Sequence, residues 1–165
     1  MRMTHYMELL AANQPWNLIL FMAIPVILAE TVAITELFIL FSRQNQGVMR
    51  DVNRSASIAG GVYFVGVFGY LMWHAVIPLS FNHGWRGAAD VIAVLSYLAG
   101  IVPLLGMALL DLGLTGRKLS VEGRLKRHAI FVAIFLVVAH VAMIFGMLDP
   151  SLLMSGNEGM HGMHH

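Results

Sequence analysis

Between Ala129 and Leu148 the sequence is one apolar run, broken only by His140. A hydrocarbon core about 30 Å thick needs about 20 helical residues to cross it. In lipid a backbone satisfies its own polar groups only as a helix or a closed barrel, so a run of this kind leaves little choice of structure. Three further stretches qualify, giving expected helices at about 17–41, 56–79, 88–112 and 127–148. Composition agrees: charged residues make up 12% of the chain, where a soluble domain carries about 25%. Short connections make neighbouring helices antiparallel. The expected fold is all-α, an integral-membrane, up-down four-helix bundle over residues 1–148, followed by a Met/His-rich tail at 149–165.

Charge fixes an expected orientation. Arg43, Arg50 and Arg54 follow the first stretch, and Arg117, Lys118, Arg124, Lys126 and Arg127 flank the third connection. Only Arg2 and Arg86 fall on the other side. The positive-inside rule then places the two basic loops in the cytoplasm and both termini outside, in a cell (inner) membrane. Trp16 and Trp85 stand at the outer interface, where aromatic anchors belong. The first apolar stretch is too long for a cleaved signal peptide and reads as an anchor. The basic loops face anionic lipid, which accounts for them without nucleic acid.

With no cysteine in the chain, disulfides, thiolate metal sites and iron–sulfur clusters are excluded. Histidine and methionine crowd the outer half instead, and imidazole with thioether suits copper. On the fourth helix His140, Met143 and Met147 share one face at 100° per residue. Beyond them the chain ends Gly-Met-His-Gly-Met-His-His, bringing Met160, His161, Met163, His164 and His165 as donors. His5 and His83 fall on the same side. The second stretch carries His74, within about 5 Å of the depth of His140 when counted at 1.5 Å per residue. Tyr70 stands one turn before His74, placed to orient its ring. Glu30, near the middle of the first stretch, is a third candidate ligand, since ionisable groups in membrane helices face the bundle or a cavity. Glu36, Asp90 and Asp111 lie nearer the interfaces and read as ion-pair partners, while His128 stands alone at the inner boundary.

These residues support three expectations. The first is a transition-metal handler, copper favoured, acting as permease, store or sensor, with a ladder from the tail through Met147 and Met143 to His140, His74 and Glu30. The second is a small b-type cytochrome holding haem b between His74 and His140, with Gly60, Gly61, Gly66 and Gly69 giving clearance or, more simply, close helix packing. The third is an accessory subunit of a membrane complex, with structural histidines; the expected partners are the lipid bilayer and further copies of the chain or a larger membrane complex. No phosphate-binding loop, nucleophile elbow or His-Glu-x-x-His helix occurs to suggest an enzyme.

Overall fold

A computed structural model describes residues 3–43 and 47–149, and among these every regular element is helical. A short helix, α1 (His5–Ala11), precedes four long ones: α2 (Trp16–Ser42), α3 (Val48–Phe81), α4 (Ala88–Asp111) and α5 (Val121–Met147). All four long helices are apolar enough and long enough to cross a membrane, as in a multi-pass membrane protein. α3 packs against α2 and α4, and α4 against α5, while α2 and α5 touch more sparingly. The helices α3 and α5 therefore stand diagonally across the bundle. One end of the bundle carries α1 and the end of α5; the other carries the arginine-rich connections.

Two helices start earlier than hydropathy indicates. α3 begins at Val48 rather than near 56, and α5 at Val121 rather than near 127. Charge excludes a residue from lipid but not from a helix, provided the side chain reaches water or a partner. Arg50, one turn into α3, reaches Asp111 on α4 at 3.0 Å. At the start of α5, Ser120 caps the helix by accepting from Gly123 N at 3.1 Å, and exposed Lys126 pairs with Glu122.

Proline shapes the other end. Pro25 and Pro78 each follow a π-helical turn, Ile19–Ala23 and Met72–Val76. A proline has no N–H and its ring presses on the carbonyl one turn back, and widening that turn relieves the clash. The carbonyls released before Pro25 find side-chain donors from other helices. Tyr97 on α4 donates to Phe21 O, and Tyr63 on α3 donates to Leu20 O at 2.9 Å. α4 is interrupted at Gly100, which closes one helical length, Ala88–Ala99, and opens the next, Ile101–Asp111.

The core fills the middle of the bundle. Phe64, Tyr97, Leu104 and Phe135 meet there, with Phe64 and Leu104 almost wholly enclosed. At Gly61 a Cβ would stand 2.4 Å from Ala108 Cβ and 2.9 Å from Leu104 O, so α3 and α4 meet through close packing. Gly66 and Gly69, by contrast, face open space.

Candidate functional site

At the end that carries α1, the N-terminal residues are fastened over the bundle. Thr4 caps α1 and its hydroxyl donates to Gly146 O on α5 at 2.6 Å. Asp90, fully enclosed in the first turn of α4, accepts from His5 N at 2.6 Å and from the His5 ring, Nδ1 to Oδ2, at 2.5 Å. The N-terminus of a helix favours a carboxylate at this position. Arg86 adds a pairing to Glu8 at 2.6 Å and a hydrogen bond to Met3 O. The sequence treats this segment as a plain terminus; the structure makes it a lid.

Beneath α1 lies a cavity of about 350 Å³, bounded by α1, the upper part of α3 and α4. Its walls are mostly apolar, with His5, Glu8, His74, Asn82 and Tyr97 supplying polar atoms. Tyr6 also lines it; burial pushes its phenol up to about 12, so it faces the cavity as a neutral group. His74 is held in two ways. Its ring stacks on Tyr70, with centroids 4.3 Å apart, and its Nδ1 lies 3.1 Å from Tyr70 O. A carbonyl only accepts, so Nδ1 carries a proton, and in the neutral ring Nε2 is left with its lone pair. His5 is arranged alike, with Asp90 in place of the carbonyl. An imidazole whose other nitrogen is tied to a carbonyl or carboxylate is the usual form of a metal-binding histidine.

The remaining expected ligands fall elsewhere. His140 is exposed on α5 and its Nδ1 lies 2.6 Å from Leu136 O. It does not line the cavity that His74 lines, so the two are not brought together among the described residues. Glu30 is exposed on α2 and joins neither histidine. Met147 is 65% exposed, whereas Met143 is partly buried and turns inward with Met22 to line a small apolar void of about 20 Å³. The face shared by His140, Met143 and Met147 therefore does not make a continuous ladder among the described residues. Met160, His161, Met163, His164 and His165 lie outside them. No group of three or more His, Asp and Glu side chains among the described residues stands ready to hold a metal ion.

A second polar centre occupies the opposite end, and all four long helices build it. His128 on α5 is 2% exposed. Its Nε2 stands 3.0 Å from Asp111 Oδ2 on α4 and 3.4 Å from Ser57 Oγ on α3. Its Nδ1 is 2.9 Å from Glu36 Oε2 on α2, within ion-pair range but off the line of a hydrogen bond. Asn53, buried on α3, donates to Val32 O, Thr35 Oγ1 and Glu36 Oε2 at 2.9–3.1 Å. Arg50 completes the set on Asp111. With His128 protonated, two cations balance two carboxylates, which is how charge is tolerated inside a membrane bundle.

A protein-family model matches residues 1–162, a family of unknown function, DUF6803. The chain belongs to that family. No curated protein and no solved structure matches it. In this DUF6803 chain, function has to be read from the two polar centres themselves. They are separated by an apolar waist of Phe21, Phe64 and Phe135, so they are chemically distinct sites.

Proposed function

We propose that the protein handles a transition metal on the outer side of a cell (inner) membrane, copper favoured, as a permease, store or sensor. The observation that carries the reading is that His5 and His74 both line one cavity, each with Nδ1 tied to an acceptor. Two preoriented imidazoles are half of a tetrahedral set, and copper and zinc both accept them. Glu8 is within the same cavity. The hydrogen bond from Thr4 to Gly146 O puts the end of α5 beside α1, the helix that covers this cavity. In this reading Met160, His161, Met163, His164 and His165 supply the donors that the cavity lacks. The basic connections face the cytoplasm and the cavity opens outward, as the distribution of arginine and lysine favours. His5 replaces His140 as the partner of His74. A haem between His74 and His140 has no observation in its favour, since His140 does not line the cavity that His74 lines.

Elemental analysis of the full chain purified in detergent, after incubation with copper or zinc and gel filtration, tests the proposal. About one ion per chain is expected for wild type, a loss of most of it in His74→Ala and His5→Ala, and retention in His140→Ala. No metal above a metal-free control in any form would sink it. Retention in both His74→Ala and His5→Ala would move the site to the tail alone. A preparation that holds no metal but co-purifies with a fixed membrane partner would favour the accessory-subunit reading.

A further inference from the structure

The network at the basic end has more than an ion pair needs. His128 has a carboxylate beside each ring nitrogen, Glu36 beside Nδ1 and Asp111 beside Nε2, and Arg50 already pairs with Asp111. The two sides differ in access. A cavity of about 80 Å³, lined by Arg50, Asp111, Arg124 and His128, reaches the Asp111 side from the end of the bundle; Glu36 does not line it. On the Glu36 side Oε1 is buried and has no hydrogen-bond partner among the described residues. A buried polar atom without a partner costs about 1–3 kcal/mol, so a purely structural pair would gain by lacking it.

We infer that Glu36, His128 and Asp111 form a proton-exchange site that is loaded from the basic end of the bundle. A hydronium ion in the cavity gives a proton to an Asp111 oxygen and leaves as water. With the ring neutral and protonated at Nδ1, Nε2 takes that proton. A small turn of the ring then brings Nδ1–H into line with Glu36 Oε2, 2.9 Å away, and the Nδ1–H proton moves to Glu36. No electron pair leaves the site and nothing is oxidised; one proton has moved from the cavity to the interior carboxylate. Arg50 on α3 holds Asp111 in place, Asn53 holds Glu36, and Ser57 faces Nε2. Arg124 is the other charged group on the cavity wall. The inference is independent of metal binding at the far end, from which it is separated by the apolar waist.

Nitrogen NMR of the full chain in lipid nanodiscs, with ring-labelled histidine and His128→Gln to assign the signal, provides the test. The wild-type His128 ring is expected to change protonation state between mildly acid and mildly alkaline pH and to exchange with deuterated solvent. Glu36→Gln removes one facing charge and should move the midpoint to lower pH by about one to three units. A ring signal that stays that of an imidazolium over the whole range would overturn the inference and leave a fixed ion pair. The wild-type titration decides this alone, whether or not the variant folds.

Discussion

Two glycines on α3 test how closely helices approach. A Cβ on Gly61 would stand 2.4 Å from Ala108 Cβ, whereas one on Gly66 meets nothing within 4 Å. Gly61→Ala forces α3 and α4 apart and should cost about 1–3 kcal/mol, as overpacking does. Gly66→Ala should be neutral or stabilise by about 0.5–1 kcal/mol, because alanine is the better helix former. Thermal unfolding in detergent separates the two, and equal effects would contradict the packing described. At this scale the sequence is partly legible. His74 with Tyr70 one turn away foretells the stacked ring. His128 escapes notice because Arg124, Lys126 and Arg127 make its surroundings look like a loop. A usable signal was present: Arg50, Asn53 and Ser57 follow helical spacing on one stripe of α3. It is visible only when the helix is carried upstream past its apolar segment. That Glu36 and Asp111 meet His128 depends on tertiary packing, which residue spacing within one helix does not contain.

At the scale of elements, Pro25 shows a local rule completed by a distant residue. Its missing N–H leaves the Phe21 carbonyl open, and the Tyr97 hydroxyl from α4 closes it. Tyr97→Phe should cost about 1–3 kcal/mol by stranding a buried acceptor. In a Pro25→Ala background the N–H is restored, the helix can take up that carbonyl, and the same Tyr97→Phe change should cost clearly less. A double-mutant cycle by thermal unfolding reads the difference; strictly additive costs would mean the two residues are uncoupled. A freed carbonyl at Pro25 is foreseeable from sequence, but its donor is not, since Tyr97 lies on another helix. The lid α1 is equally opaque. Thr4 is a recognisable N-cap, but the docking of seven residues on Asp90 and Gly146 depends on where α4 and α5 end.

At the scale of the whole molecule, the number and order of long helices follow directly from hydropathy, because lipid penalises every other use of such runs. Orientation is a separate matter that the arginine distribution addresses. The absence of cysteine makes it measurable, since one introduced thiol reports alone. Asn82→Cys, between α3 and α4, should react with an impermeant maleimide added outside intact cells, and Thr115→Cys only after lysis. The reverse pattern would invert the bundle and turn the His5–His74 cavity towards the cytoplasm. The apolar waist separates the two ends: a roomy, imidazole-bearing cavity at one and a buried set of charges at the other.

The hydrogen bond between Thr4 and Gly146 makes the first and last turns of the described chain neighbours. In the proposed reading, donors carried beyond Met147 would belong to the same molecule as the cavity rather than reach it as a separate ligand. Groups joined by a short linker meet at effective concentrations of order millimolar, far above what a separate peptide would reach in a cell. Capture of an ion by cavity and tail together would then be unimolecular after first contact. Its strength would not fall on dilution of the protein, and adding the tail as a free peptide to a truncated chain would restore it only at millimolar concentration.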